Sequence, residues 1–294
     1  MDFIDFTKMM VCKVQLYMGS DYEVTERSVT KNNSVTLTGI MAKHKDAKAY
    51  PTIYVDDIYD SSLEEKDVDY LAMKMAQSLA NSKIDEEECL QDFTGFETAG
   101  KSIFLKVINA EKNKELLQDV PYRRFHNLAI VYYYSVNEKT SSGIATVLVN
   151  NEFIKKWEVD ENTLYETAMD NIKAKCPPSI SSMYETLEKL GANTVPDKKA
   201  PMYVICNEKQ LFGARAIIDL EFLHQVSENI GCGFYILPSS IHELIIIPET
   251  IDTCAKDLVA MVTEINLTEV SAEEMLADSV YFYNQNEHKV LWLA

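Results

Sequence analysis

Glycine and proline are scarce in this 294-residue chain, at 9 and 8 residues, so neither a collagen-like repeat nor a low-complexity linker organises it. Positive charge is short as well. Lys and Arg total 28 against 46 Asp and Glu, and a net charge of -18 repels phosphate backbones and anionic lipid unless basic residues cluster. The densest positive stretch, Lys112, Lys114, Arg123 and Arg124, is interrupted by Glu115 and Asp119, too small for a duplex-binding face. Nucleic acid is therefore not an expected partner. Long apolar runs are missing too, the best being strand-sized such as Leu244–Ile247, against the roughly 20 residues that span a bilayer. With no membrane span and no basic, apolar leader at Met1-Asp-Phe-Ile-Asp-Phe, the expected compartment is cytoplasmic. Cys12, Cys89, Cys176, Cys206, Cys232 and Cys254 form no C-x-x-C pair, which excludes a zinc ribbon or dithiol redox motif and predicts buried, reduced thiols.

What is present suffices for a sizeable core, since 47% of residues are hydrophobic. Phe3, Phe6, Met10, Val14 and Tyr17 recur at spacings of three and four, predicting an opening helix that Gly19 ends. Tyr22–Thr30 and Ser34–Met41 alternate around Lys31-Asn32-Asn33 as a hairpin, Tyr50–Val55 reads as extended, and Val68, Leu71, Met75 and Leu79 stripe a second helix. Residues 1 to 98 hold 10 Lys/Arg against 19 Asp/Glu, and they are expected to form an acidic α+β unit apart from a larger α+β unit over 102 to 294. In the larger part, strands are expected at Ile103–Asn109, Leu128–Val136, Gly143–Val149, Met202–Cys206, Phe212–Ile217, Phe234–Leu237 and Glu243–Ile247, with a closing hairpin of Val280–Tyr283 and Val290–Leu293. Helices are expected over Ala110–Gln118, after Asp160, from Ser182 to Gly191, over Asp219–Ile230, around Leu258–Ile265, and briefly at Ser271–Glu274. Units of strand, strand and helix imply α+β architecture: antiparallel sheets with helices packed over them, in two parts.

Motifs that could carry chemistry are few. Gly95-Phe-Glu-Thr-Ala-Gly-Lys-Ser102 spells a phosphate loop, but such a loop must leave a strand and enter a helix, and here an acidic, helix-like segment precedes it and a strand follows. It reads as a decoy. His242-Glu243 begins like a zinc-protease motif, yet Ile246 occupies the place of the second histidine. Ser239, Ser240, His242 and Glu243 still put two hydroxyls, an imidazole and a carboxylate in one turn, where local hydroxyl-to-backbone bonds are the commoner use. Asn109, Asn113, Arg123, Arg124 and His126 form a second polar group, able to bind an anion or a peptide carboxylate, and more commonly able to organise a strand entry. These residues, Asn113, Arg123, Arg124, His126, Ser239, Ser240, His242 and Glu243, are the binding candidates. No metal site and no cofactor is expected.

Several stretches together, Val29-Thr-Lys-Asn-Asn-Ser-Val-Thr-Leu-Thr-Gly39, Pro51-Thr-Ile-Tyr54, Lys106-Val-Ile-Asn109 through Asn113-Lys-Glu-Leu-Leu-Gln-Asp-Val-Pro121, Met202-Tyr-Val and Leu237-Pro-Ser-Ser-Ile-His-Glu243, resemble an uncharacterised family, domain of unknown function 5688 of anaerobic, largely gut-associated Firmicutes. The last third is also distantly similar to a second uncharacterised bacterial family. The resemblance implies bacterial cytoplasmic origin and a self-contained fold, and brings no catalytic residue. The sequence therefore points to a non-catalytic cytoplasmic binding or accessory protein acting through protein–protein contacts, with oligomeric state open. The alternative is a hydrolase or transferase whose site is assembled from dispersed residues.

Overall fold

The computed structural model describes residues 1–45, 52–81, 95–136, 145–189, 191, 201–249 and 254–293, and the chain divides into two compact units, Met1–Thr94 and Gly95–Ala294. In the first, Asp2 caps helix α1 (Phe3–Met18) by accepting from the Asp5 N–H at 2.8 Å, and Gly19 ends it at φ +79°. Strands β1 (Tyr22–Thr30), β2 (Thr36–His44) and β3 (Thr52–Tyr54) make an antiparallel sheet in that order. The β1–β2 connection needs left-handed backbone at Asn33 and Ser34, and Asn is among the residues that tolerate it best. Helix α2 (Glu65–Asn81) and α1 close over the sheet: Phe6, Met10, Val14, Val24, Ile40, Val68, Met75 and Leu79 share one apolar cluster. Burying each such side chain contributes about 1.5–3 kcal/mol, which holds the two layers together.

The second unit contains two antiparallel sheets. In one, β6 (Leu128–Val136) is central: β4 (Ile103–Asn109) lies along one edge, while β5 (Tyr122–Phe125) and β7 (Ala145–Leu148) pair with successive halves of it. The first seven residues of β6 are all buried, as a strand covered on both faces must be. The other sheet has the order β13 (Lys289–Trp292), β12 (Tyr281–Asn284), β10 (Phe234–Leu237), β11 (Leu244–Pro248), β9 (Tyr203–Asn207), β8 (Pro178–Ser182). Helices α3 (Asn151–Trp157), α4 (Glu161–Lys175), α5 (Met183–Lys189), α6 (Leu220–Ile230) and α7 (Ala255–Thr268) complete the unit. Asp160 caps α4 through the Thr163 N–H at 2.8 Å. Ser182 and Glu185 form the reciprocal capping box of α5, at 2.9 and 3.2 Å. The fold is α+β, with antiparallel sheets and helices packed over them.

Where structure and expectation differ, tertiary packing decides. Phe212–Ile217 is not a strand: Gly213–Ile218 is a 3₁₀ helix buried at all six residues. The apolar run fits a buried strand, but among the described residues no strand pairs with it. Ser271–Glu274 makes turns rather than a helix, because Ser240 pairs with Met275 in an isolated bridge. Where Ala110–Gln118 is expected to be helical the helix is Leu116–Asp119, and among the described residues of the expected Tyr50–Val55 strand Thr52–Tyr54 is extended in the sheet. Strand β8 and helix α3 went unread, as Pro177-Pro178 signals a stop and α3 is only seven residues long. The helix-like Asp85–Gln91 segment and the loop over 193–200 lie outside the described residues.

Gly213 is where this packing tolerates least. A Cβ there would meet the His242 carbonyl oxygen at 2.4 Å and the Cys206 Cα at 2.8 Å, both backbone atoms that cannot swing aside. Gly213→Ala is expected to cost about 1–3 kcal/mol in urea unfolding, the range for overpacking a filled interior. A loss below about 0.5 kcal/mol would show that the segment is not held as described.

Candidate functional site

The polar group around β5 does not assemble into one site, because its members bond different parts of the unit. Asn113 is buried and donates to the Asn109 carbonyl at 2.8 Å, and Asn109 donates to the Leu276 carbonyl at 3.0 Å, tying the end of β4 to the chain before β12. Arg123 bonds Glu161 at 2.9 Å and Asn162 at 2.7 Å and lies 4.0 Å over the Tyr165 ring. Tyr132 donates to the same Glu161 carboxylate, so Glu161 anchors the start of α4 on the sheet. His126, at φ +53°, meets the Val290 carbonyl at 3.0 Å, and Arg124 is exposed on β5. These are mostly structural ties.

The turn before β11 is likewise committed to the fold. Ser240 Oγ accepts from the His242 backbone N–H at 3.0 Å, so it is not aimed at the imidazole. The ring's Nδ1 accepts from the Phe212 N–H at 3.2 Å, its Nε2 faces Glu274 at 3.5 Å, and its plane stacks on Phe212 at 5.4 Å. Ser239 is buried, its carbonyl taking the Leu276 N–H at 2.9 Å, while Glu243 is exposed. Nothing here resembles nucleophile, base and acid in line. The phosphate-loop look-alike is equally occupied. Phe96–Ala99 and Gly100–Ser102 are helical turns, the Ala99 N–H bonds Gly95 O at 3.1 Å, and Gly100 and Ile103 carbonyls accept from Asn171 at 2.7 and 2.8 Å. The Ala99 and Gly100 amides are taken up within these turns.

The residue that stands out is one the sequence did not single out. Asn207, at the end of β9, accepts from the Lys209 and Leu211 amides at 3.0 and 3.4 Å and turns the chain inward. Phe212 takes φ +52° and the 3₁₀ helix carries Arg215 into the interior. Arg215 is 6% exposed. Its guanidinium donates to the Tyr133 hydroxyl at 3.3 Å and to the Cys176 carbonyl and Sγ at 3.1 and 3.0 Å, and no carboxylate of the described residues pairs with it. Two small clefts meet at this group. One, with about 10 Å³ open to water, is lined by Leu105, Ile172, Cys176, Cys206, Arg215 and Asp219; the other, with about 20 Å³, by Phe104, Tyr133, Ser135, Asn207, Lys209 and Arg215. The hint in sequence is a single arginine inside the apolar run Leu211-Phe-Gly-Ala-Arg-Ala-Ile-Ile218.

Electrostatics set what the clefts can do. Burial raises both the Cys176 and Cys206 thiols, outweighing the Arg215 charge that lowers them, so neither is an activated thiolate. Burial also pushes Tyr133 up to about 12, leaving its hydroxyl a neutral donor. Among the described residues no group of three His, Cys, Asp or Glu could hold a metal ion, and no helix is long and apolar enough to cross a membrane.

Burial holds His242 below its ordinary pKa of 6.5, with Lys106 acting in the same direction and Glu274 and Glu243 opposing. An imidazole depressed in the native state binds its proton more readily unfolded, so stability is full above pH 6.5 and falls as pH drops through 6.5 toward the native value. Urea unfolding from about pH 7.5 to 5.5 should therefore show a steeper loss in the wild type than in His242→Asn; parallel profiles would contradict it. No curated protein and no solved structure matches the chain. A family model described as a family of unknown function, DUF5688, matches residues 3–285. The chain belongs to that family.

Proposed function

We propose that this is a non-catalytic binding protein acting through contacts to a protein partner, and that the Arg215 cleft receives an anionic group of that partner. The observation that carries the reading is the buried guanidinium that pairs with no carboxylate among the described residues. Removing a unit charge from water costs about several kcal/mol even after relaxation, and burial is ordinarily repaid by an opposite charge. Here the repayment is partial. Cys176 is the C-cap of α4, and the carboxyl end of a helix supplies only about half an elementary charge. An incoming anion supplies the rest.

Support also comes from what surrounds the cleft. Arg guanidinium groups are suited to oxyanions, and the protonated Cys176, Cys206 and Tyr133 add no negative charge to repel one. The alternative, a hydrolase or transferase, needs an activated nucleophile, whereas the hydroxyl and imidazole of Ser240 and His242 are both engaged with backbone amides.

A ligand of the native state stabilises it by about 2.7 kcal/mol at one hundred times its Kd. Thermal unfolding in a panel of anions at constant ionic strength should find one that raises the melting temperature saturably in the wild type and not in Arg215→Met. Mass spectrometry should recover that anion chemically unchanged after incubation. Conversion of it by the wild type would replace the binding reading with the enzyme one, and no saturable stabilisation by any anion would remove it.

A further inference from the structure

We infer that His224 and His288 form a two-imidazole clip for a divalent first-row transition ion, in a groove that shares no lining residue with the Arg215 clefts. The groove has about 490 Å³ open to water and is lined by Leu220, Glu221, His224, Gln225, Glu228 and His288. The first five stand on one stripe of α6, since residues three and four apart share a helix face, and His288 comes from the turn between β12 and β13. There the His224 and His288 rings approach to 4.0 Å between centroids, at an interplanar angle of 37°.

The surroundings of His224 leave one lone pair unused. Its Nε2 faces the Glu228 carboxylate at 3.7 Å, one helical turn on, and a carboxylate only accepts, so the proton belongs on Nε2. Nδ1 then carries a bare lone pair, and it is buried with no hydrogen-bond partner among the described residues. A carboxylate on one ring nitrogen and a metal on the other is the common arrangement of ligating histidines. His288 is the movable half, exposed on its turn at φ +52°, a backbone conformation that a residue with a side chain adopts at a cost. Two imidazoles with nitrogens about 2.1 Å from one ion have centroids about 5 Å apart, so a small swing of His288 opens the pair to that spacing. Three protein ligands do not converge there, and the ion keeps water in its other positions. Among the described lining residues no Lys or Arg repels a cation; Glu228 adds negative charge, while Glu221 is already paired with Lys173 at 3.3 Å. Imidazole suits Zn²⁺, Ni²⁺ and Cu²⁺, whereas Mg²⁺ and Ca²⁺ take oxygen ligands, which fixes the class of ion.

The test is calorimetry on the full chain with Zn²⁺, Ni²⁺ and Mg²⁺ under reducing conditions, the Zn²⁺ titration being followed also by ¹⁵N NMR of the histidine rings. Zn²⁺ and Ni²⁺ should bind saturably, Mg²⁺ should not, and the His224 and His288 ring signals should move together. His224→Gln and His288→Gln should each weaken binding by at least about tenfold, and His44→Gln, on β2 of the other unit, should leave it unchanged. The exposed thiols of Cys12 and Cys254 also take such ions, so binding that survives the double substitution at 224 and 288 with stationary ring signals belongs elsewhere and overturns the inference. A loss in one of the two single variants alone would overturn the clip as well, as would Mg²⁺ binding as tightly as Ni²⁺, or no saturable binding of Zn²⁺ and Ni²⁺. Should a variant fail to fold, the wild-type ring signals decide: joint movement supports the pair, and movement of one ring or neither contradicts it.

Discussion

The C-terminal unit is built on the burial of Gly213–Ile218 beside the sheets. Gly213 lets the backbone approach the His242 carbonyl and Cys206 to distances no side chain could occupy. The Ala214 N–H bonds the Ile241 carbonyl at 3.3 Å, and Phe212 packs edge-on against Tyr133 of β6 at 5.0 Å. The segment thus touches both the β6 sheet and the β11 turn. Other ties repeat the connection farther along: Asn109 to Leu276, Asn127 to Ser279 at 2.9 Å, and His126 to Val290. Each replaces a water contact with a protein one and adds only about 1 kcal/mol, so it is their placement across two sheets that matters.

Arg215 follows from that constraint. A 3₁₀ helix brings every third side chain to one side, and with alanines at 214 and 216 the arginine is the one long side chain available at that point of the segment. It reaches the C-terminal end of α4, where carbonyls carry partial negative charge. In a chain of net charge -18, a buried positive group that makes no ion pair with any described carboxylate is unlike the general surface electrostatics. The proposed role of the cleft grows from that contrast: the site supplies half of a charge pair and the ligand supplies the other half.

Most of the fold is legible in the amino-acid order because its elements obey local rules. The stripe Phe6, Met10, Val14 and the caps at Asp160 and Ser182 are local signals, and the structure uses each as such. Phe212–Ile218 is different. Its apolar residues satisfy a strand pattern, yet the segment is a buried helix, its Ala214 N–H bonded to the distant Ile241 carbonyl, which is a long-range fact. The candidate site suffers for the same reason. Ser239, Ser240 and His242 are adjacent in sequence, yet Ser240 bonds the His242 amide while Ser239 and His242 bond the Leu276 and Phe212 amides of other segments. Arg215, Tyr133 and Cys176 are far apart in sequence and become neighbours only when α4, β6 and the 3₁₀ helix pack.

The central claim, that Arg215 is an incompletely compensated buried charge kept for a ligand, is tested most directly by the stability of ligand-free Arg215→Met. Methionine fills similar space with apolar atoms, and replacing buried charge in this way is often neutral or stabilising. Urea unfolding in an anion-poor buffer should place the variant within about 1 kcal/mol of the wild type, or above it. A loss of about 3–5 kcal/mol would show instead that the bonds to Tyr133 and Cys176 already satisfy the guanidinium, and that its role is structural.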